Sequence, residues 1–270
     1  MASRRTPSTH ARPGHQGGRR VSAPAPAGGA RHGLARVLSK AGLCSRSEAA
    51  RRVQEGRVSV DGRVVRDPEF PVVPSRQQVR VDGMPLAPAR RWYVALNKPR
   101  GLVTTVRDEQ GRDTVYRCFD GGGLPWLAPA GRLDKASEGL LLFSNDPEWA
   151  ARLTDPATGP LKTYRVQVDG LPDAAQLARM REGVDDAAGE HLAAHAVQVL
   201  RHGQRTAWLE VVLAEGRNRH IRRLLQVLGF EVLRLVRVAI GPVQLGTLEK
   251  GQWRELEAEE LQALQCPFSE

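Results

Sequence analysis

The chain contains no long apolar run. None of its hydrophobic stretches approaches the roughly 20 residues with which a helix crosses a bilayer, although 41% of its 270 residues are hydrophobic. The mean hydropathy of −0.39 is typical of a protein that folds in water. We therefore expect no membrane segment, and the length allows one large domain or two unequal ones with a substantial hydrophobic core.

Cysteine is scarce as well. Cys44, Cys118 and Cys266 lie far apart and form no C-x-x-C pair, so neither a disulfide framework nor a zinc ribbon is indicated. His220 has no second histidine, cysteine or acidic residue at ligand spacing, and we expect no metal site. A reducing compartment is the simpler interpretation of this cysteine usage, and we expect a cytoplasmic protein.

Aromatic residues make up only 5% of the chain, and five lysines stand beside 35 arginines. With few aromatic side chains for stacking, binding to nucleic acid would depend on arginine–phosphate contacts and fall steeply with salt. Residues 1–33 carry six arginines and no acid, residues 34–91 twelve basic and six acidic residues, and residues 92–270 22 basic and 24 acidic ones. The excess positive charge therefore lies in the first third of the chain. This distribution indicates an N-terminal region that binds a polyanion, joined to a larger region with a different function.

Residues 1–33 are rich in Gly, Pro, Ala, Ser and Arg, and this composition predicts a disordered basic tail. An acid-free, arginine-rich segment is also typical of organelle transit peptides. However, the prolines at Pro7, Pro13, Pro24 and Pro26 oppose the amphipathic helix of such a peptide. We interpret the segment as an RNA-contacting tail, and the sequence leaves a targeting role open.

Residues 34–86 predict a small domain of two helices followed by short strands. The first helix is indicated by apolar residues at i, i+3, i+4 and i+7, namely Leu34, Val37, Leu38 and Ala41. Ser45 and Glu48 match the S-x-x-E capping box that opens a second helix. Asp-Gly turns at 61–62 and 82–83 lie between alternating valines and predict hairpins. Residues 87–91, at the end of the proline-containing stretch PLAPARR, are predicted to be an extended linker.

The stretch GRLDKASEGLLLFSND, residues 131–146, places charged residues beside a run that must be buried. The turn residues around Leu140–Phe143 predict a buried strand rather than a helix. Asp134 then lies in the loop that leads into the strand, near the core, where a carboxylate is costly unless it is paired. Pairing with backbone N–H groups, with Arg132 or with a distant cation remains open from these residues alone.

Near the end of the body, a strand, a glycine-bearing loop and a helix are predicted over residues 207–230. Ile221, Leu224, Leu225 and Leu228 form the apolar stripe of the helix. Four arginines crowd its N-terminus, namely Arg217, Arg219, Arg222 and Arg223. Cations at this end oppose the helix macrodipole. We therefore expect an anion there, either an RNA phosphate or the carboxylate of Asp134.

Four ordered blocks together resemble the bacterial ribosomal RNA pseudouridine synthases of the RsuA-like family: YVALNKPRGLVTT, GRLDKASEGLLLFSND, KTYRV and EGRNRHIRRLLQVLGFEVLRLVRVAIGPVQLGTLEKGQWREL. The stretch RVLSKAGLCSRSEAARRVQEGRVSVDGRVV, residues 36–65, resembles the S-four-type RNA-binding domain. The resemblance implies an α+β protein in which this small basic α/β domain (34–86) is joined to a synthase domain (92–270). That second domain would have a mixed, largely antiparallel sheet and a central cleft.

The resemblance also implies roles for individual residues. Asp134 matches the catalytic aspartate, as nucleophile at the anomeric carbon or as base at the ribose 2′ position, and Arg222 matches its arginine partner. Tyr164 matches the tyrosine that stacks on uracil, and Arg132 the residue that fills the gap left by the flipped base or grips its phosphate. No cofactor is implied. The RNA contacts that we expect are Arg46, Arg51, Arg52, Asn97, Lys98, Arg217, Arg219 and Arg223.

Alternatives remain open. A noncatalytic RNA-binding or ribosome-assembly factor on the same fold would not need Asp134. A glycosidase-type hydrolase would use Asp134 with Glu138, although no carboxylate facing them is evident. DNA binding fits the charge but not the S-four-like segment. The target uridine is open. We favour large-subunit ribosomal RNA slightly, because GRLDKASEGLLLFSND looks closer to those members, and we expect a monomer.

Overall fold

The computed structural model describes residues 30–87, 90–106 and 108–264, and the elements below lie within these ranges. The predicted disordered tail falls almost wholly outside the described residues. Part of the predicted linker (88–89) and Cys266 also lie outside them, so the domain boundaries stay predictions.

The N-terminal part contains two helices and a small antiparallel sheet. Its elements are β1 (His32–Gly33), α1 (Leu34–Lys40), α2 (Arg46–Gln54), β2 (Val58–Val60), β3 (Arg63–Val64), β4 (Pro71–Val72), β5 (Val79–Val81) and β6 (Met84–Pro85). The strand order in the sheet is β3-β2-β5-β6, and β1 pairs with β4. Side chains from both helices and from β2, β4 and β5 form a core of their own.

Local signals explain these elements. Ser45 caps α2, since its hydroxyl accepts a hydrogen bond from the backbone N–H of Glu48 at 3.1 Å. Asp61-Gly62 and Asp82-Gly83 both have φ near +50° and +80°, as a two-residue hairpin turn requires. The two predicted hairpins are therefore confirmed.

The rest of the chain is organised around one large sheet. Its elements are β7 (Tyr93–Lys98), a 3₁₀ helix (Val115–Phe119), β8 (Ala128–Pro129), β9 (Glu138–Ser144), α3 (Pro147–Thr154), β10 (Lys162–Asp169), α4 (Ala174–Glu182), β11 (Val184–Asp185), β12 (His191–Leu192), β13 (Ala196–His202), β14 (Thr206–Leu213), α5 (His220–Val227), β15 (Glu231–Ile240), β16 (Val243–Gln244), β17 (Trp253–Glu255) and α6 (Ala258–Ala263). The main strand order is β13-β14-β10-β15-β9-β7-β17. The pairing of β9 with β15 is parallel, and the other pairings along this order are antiparallel.

Strand β9 is the buried centre of this part. Leu140, Leu141, Leu142 and Phe143 are all 0% exposed, which confirms the strand predicted from the apolar run. Because side chains alternate along a strand, Leu141 and Phe143 enter the core that contains Tyr164 and α5. Leu140 and Leu142 enter a second core against α3 on the other face. The fold is thus α+β with a largely antiparallel sheet, as predicted.

Candidate active site

A cleft of about 410 Å³ opens over one face of the sheet, between the loop before β9, strands β10 and β15, and the N-terminus of α5. The chain brings residues from far apart in sequence to its walls. The predicted site residues that line it are Arg132, Asp134, Tyr164, Arg217, Arg219 and Arg222. The other predicted contacts are not among the lining residues. The cleft therefore unites all four residues to which the resemblance gives a part in the reaction.

Asp134 lies in the loop that precedes β9. Its neighbour Leu133 is buried and is held by Thr104, whose hydroxyl donates to the Leu133 carbonyl at 2.8 Å. The Asp134 backbone carbonyl accepts hydrogen bonds from the N–H of Ser137 at 3.0 Å and from Lys98 Nζ at 3.2 Å. The Asp134 side chain itself is exposed, so the expectation of a buried carboxylate is wrong. The loop turns Leu133 inward and Asp134 toward the cleft.

Arg222 projects from α5 toward the same loop. Its two terminal nitrogens donate to the backbone carbonyls of Val232 at 3.2 Å and Ala136 at 3.3 Å. Within the described residues, no nitrogen of Arg222 lies within 4.0 Å of the Asp134 carboxylate, so the expected close ion pair is absent. Burial and then the neighbouring Arg219 lower the pKa of Arg222, while attraction to Asp134 opposes this shift. The two charges therefore interact across the cleft without a hydrogen bond.

Tyr164 forms part of the cleft wall from β10. It is 7% exposed, and its neighbours along the same face, Val166 and Val168, are fully buried, as the alternation of side chains along a strand requires. Its register partners are Val211 on β14 and Arg237 on β15. A tyrosine placed in this way is both a core residue and a flat apolar surface at the bottom of the cleft. Arg132, by contrast, is exposed at the mouth.

Two of the four arginines at the start of α5 are neutralised by carboxylates of the protein. Arg217 pairs with Glu215 at 2.7 Å and with Glu190 at 3.2 Å, and Arg223 pairs with both Asp186 and Glu190. These carboxylates, most of them on and beside the β11–β12 turn, supply negative charge at the helix end, so the expectation that Asp134 forms the close ion pair there is wrong. Arg219 differs, since it is exposed and adopts a left-handed conformation (φ +50°) at the helix N-cap.

The sequence and the fold are similar to those of known RNA-modifying proteins. The family model described as RNA pseudouridylate synthase matches residues 92–227. The S4 domain model matches residues 33–77. An RNA pseudouridine synthase of Aquifex aeolicus that has not been characterised is 38% identical over 231 residues, covering 85% of this chain and 92% of the relative.

The chain belongs to the RNA pseudouridine synthase family. A Bacillus subtilis relative, named ribosomal large subunit pseudouridine synthase B, is 34% identical over 235 residues, 86% of this chain and 95% of its own. A crystal structure of a pseudouridylate synthase superposes with a TM-score of 0.60 at 27% identity, covering 87% of this chain and 99% of the other. Both RNA-binding and synthase segments of the sequence are therefore those of this family of isomerases.

Two residues predicted to contact RNA are instead internal supports of the synthase sheet. Asn97 is 7% exposed and donates to the carbonyl of Leu248 at 2.7 Å. Lys98 is 0% exposed, and its Nζ donates to the carbonyls of Pro99, Asp134 and Ser137 at 3.1, 3.2 and 2.8 Å. Both predictions are wrong, because the side chains point into the protein. Sequence reasoning missed the role of Lys98 in holding the loop of Asp134, although a lysine at the end of an apolar strand was a signal.

The arginines of the S4 segment lie on α2 and are tied to acidic neighbours. Arg51 and Arg52 both bond Glu48, at 2.8 and 2.9 Å, and lower the pKa of that carboxyl to about 2. Arg46 is 64% exposed and contacts Glu69 at 3.3 Å. Exposed pairs of this kind contribute little to stability, so phosphate groups can compete for these arginines. The predicted contact by Arg223 is less favoured, since its guanidinium is 23% exposed and paired with two carboxylates.

Glu138, the second carboxylate of the hydrolase alternative, is engaged elsewhere. Its side chain is 4% exposed and pairs with Arg234 at 2.5 Å and Lys250 at 2.6 Å. Burial raises the pKa of Glu138, but the hydrogen bonds from these two cations outweigh burial and lower it overall. Glu138 does not line the cleft, so it cannot join Asp134 in flanking a bond there, as hydrolysis by this pair would need.

The described part of the chain contains no group of three or more His, Cys, Asp or Glu side chains that could hold a metal ion. His220 is buried, and burial lowers its pKa. The same described residues include no helix that is long and apolar enough to cross a membrane.

Proposed function

We propose that this synthase converts one specific uridine of large-subunit ribosomal RNA to pseudouridine, with Asp134 as the catalytic carboxylate. The observation that carries the proposal is the single cleft into which Arg132, Asp134, Tyr164 and Arg222 converge from separate parts of the chain. The name of the Bacillus subtilis relative supports ribosomal RNA, and the large subunit, as the substrate.

In the proposed reaction the target nucleotide leaves its stack and enters the cleft, as enzymes that act on bases require. The face of Tyr164 would receive the uracil ring. Asp134, at the mouth, would reach the ribose, either attacking the anomeric carbon or removing the 2′ proton. Arg222 would keep the Asp134 loop in place through the Ala136 carbonyl and supply a positive field to the carboxylate. Arg132 would take the space or the phosphate of the flipped nucleotide.

Binding of the surrounding RNA is assigned to arginine. The exposed face of α2, with Arg46, Arg51 and Arg52, would contact the RNA backbone, and Arg217 and Arg219 would extend this contact to the edge of the cleft. Further proposals are that the protein acts as a monomer, without a cofactor, and in the cytoplasm, where ribosomal RNA is its substrate.

The test uses ribosomal RNA from cells that lack this protein. The RNA is incubated with wild type, Asp134→Asn or the control Asp169→Asn, and pseudouridine is mapped with a carbodiimide label. Asp169 is an exposed aspartate at the end of β10 and lies outside the cleft. We expect one new site in large-subunit RNA with wild type and with Asp169→Asn, and none with Asp134→Asn.

Other results would change the conclusion in defined ways. A new site in small-subunit RNA would retain the reaction and correct the substrate. A new site with Asp134→Asn would remove Asp134 from the chemistry. If wild type and Asp134→Asn both bind the RNA tightly and in a salt-sensitive way, but neither makes a new pseudouridine, the noncatalytic RNA-binding alternative is favoured.

A further inference from the structure

Arg237 and Lys162 line the cleft, Lys98 holds the loop of Asp134 beside it, and the described structure gives none of these three cations a carboxylate within 4.0 Å. Lys98 is 0% exposed, Arg237 is 5% exposed, and Lys162 is half-buried. Within the described residues, none of the three forms an ion pair shorter than 4.0 Å. Lys and Arg are rarely buried without a partner, because desolvation of an unpaired charge is costly. A cluster of this kind needs an electron-rich group from elsewhere.

The three cations are not equivalent. Lys98 is satisfied by three backbone carbonyls, so it holds the loop and has nothing left to donate to a ligand. Arg237 donates from Nε to the carbonyl of Leu140 at 2.7 Å, but its buried Nη2 has no hydrogen-bond partner in the described structure. Lys162 makes one long contact, from Nζ to the Ala214 carbonyl at 3.5 Å. Arg237 and Lys162 therefore retain unused donors, and both line the cleft.

The position of Arg237 indicates which part of a bound nucleotide could be its electron-rich partner. Tyr164 and Arg237 are register partners on adjacent strands, and both side chains line the cleft. A ring that lies against Tyr164 would therefore have Arg237 as its neighbour on the adjacent strand. Burial lowers the pKa of Lys162, and the nearby charge of Arg237 lowers it further, so the two cations lie close enough to repel each other.

We propose that Arg237, assisted by Lys162, binds the carbonyl oxygens of the target uracil and stabilises the negative charge that this base carries once it has left the ribose. The inference rests on the proposed function and adds a substrate-contacting cation to it.

The charge follows from the reaction itself. When the bond between C1′ and N1 breaks, its electron pair leaves with the base, so uracil becomes an anion whose charge is delocalised over N1 and the two carbonyl oxygens, O2 and O4. After the base has turned, C5 forms the new bond to C1′, the proton on C5 is removed and N1 takes up a proton. A fixed cation at the ring edge stabilises the anion between these two events, as preorganised donors do at other sites of developing charge.

A phosphate group is the other anion that RNA could supply. A phosphate is bound more readily by the exposed arginines at the mouth, Arg132 and Arg219, than by a guanidinium that is 5% exposed at the bottom. The flat edge of a flipped base is the part of the nucleotide that reaches deepest. Binding of a phosphate by Arg237 and binding of the base by Arg237 predict different effects of a mutation on RNA affinity and on its salt dependence.

The experiment compares Arg237→Gln, Arg237→Lys and the control Arg165→Gln with wild type. Arg165 follows Tyr164 on β10 but is exposed on the opposite face of the sheet. The readouts are the single-turnover rate of pseudouridine formation, RNA affinity at several salt concentrations, and the melting temperature. If Arg237→Gln does not fold, Lys162→Gln is measured in its place.

For Arg237→Gln we expect a rate about 10²- to 10³-fold below wild type, with RNA affinity within about threefold and an unchanged salt slope. The melting temperature should not fall, because an unpaired buried charge has been removed. Arg237→Lys should retain most of the rate, Lys162→Gln should lose about tenfold, and Arg165→Gln should match wild type.

Three results would overturn the inference. The first is an unchanged rate in Arg237→Gln. The second is weaker RNA binding with a salt slope reduced by about one, which would assign Arg237 to a phosphate. The third is a rate loss in Arg237→Gln that accompanies a large fall in melting temperature while Lys162→Gln keeps the wild-type rate, which would make Arg237 structural. If wild type makes no pseudouridine, the proposed function fails first, and the two failures remain distinct.

Discussion

Replacing Gly139 by alanine should destabilise the synthase part of the chain more than replacing a glycine of similar φ that has open space around it. Gly139 has φ +104° at the start of β9. A Cβ there would lie 2.8 Å from the amide nitrogen of Arg237 and still closer to its carbonyl oxygen. Both atoms belong to the backbone of β15, so they cannot turn aside as the end of a flexible side chain would.

The magnitude has two parts. An alanine at positive φ costs about 1–2 kcal/mol. Relief of the clash requires β9 and β15 to separate, and their parallel contact consists of the pairs Glu138 with Val236 and Gly139 with Arg237. The loss of about two backbone hydrogen bonds adds about 2 kcal/mol. We expect the free energy of unfolding to fall by about 3–4 kcal/mol, a large share of the roughly 5–15 kcal/mol typical of a domain.

Urea unfolding followed by tryptophan fluorescence measures this change. All five tryptophans lie at or beyond residue 92, so the signal reports this part of the chain. The matched control is Gly101→Ala, since Gly101 has φ +99° and no described heavy atom lies within 4 Å of the position that the added methyl would take. The control should lose only the roughly 1–2 kcal/mol of the backbone conformation. Equal destabilisation by the two variants would refute the close approach of β9 and β15.

Two further predictions concern protons and salt. Burial lowers the pKa of Lys98 to about 8, so between pH 8 and about 10.4 the unfolded chain binds this proton more tightly and the free energy of unfolding should rise with pH. Urea unfolding across this range should show a smaller rise in Lys98→Met, and an identical rise would contradict the shift. RNA affinity should fall linearly with the logarithm of salt concentration, and Arg46→Gln should reduce the slope by about one. A slope near zero for wild type would show that arginine–phosphate contacts do not dominate.

Helices and strands that depend only on the local sequence pattern could be predicted from the sequence. The apolar stripe of α5, Ile221, Leu224, Leu225 and Leu228, is buried as its spacing predicts. In β10 the buried residues alternate with more exposed ones, and the buried face carries Tyr164. In both cases the period of the hydrophobic residues matches the period of the backbone, so no distant contact is needed to assign the element.

Side chains whose partners are distant in sequence were not predictable. Lys98 was predicted to contact RNA, yet its Nζ donates to the carbonyls of Asp134 and Ser137, more than 30 positions later. Asn97 bonds a carbonyl 151 positions away. A polar residue at the end of a strand has the same sequence signature whether it faces solvent or a set of buried carbonyls, and the topology alone decides between the two.

In the candidate site too, features set by the local sequence were predictable and features set by distant contacts were not. The stretch around Asp134 identified the loop and the strand correctly, but the exposure of the carboxylate depends on how Leu133 and Thr104 orient the loop. Arg237, which we propose binds the base, has no sequence signature that separates it from the other arginines of the last block. Arg237 is distinguished by its buried Nη2, which has no hydrogen-bond partner in the described structure. Only the packed structure can show such an unsatisfied nitrogen.

The parallel contact between β9 and β15 has a consequence for the way this chain is made. Arg222 reaches the carbonyl of Ala136 across 86 positions, and Arg237 reaches that of Leu140 across 97. Translation delivers the N-terminal part first, and contacts of high sequence separation form late. The loop of Asp134 therefore leaves the ribosome well before the strand that completes its cleft. A nascent chain would thus carry the S4 segment and the loop of Asp134 before β15 has been made and can complete the cleft.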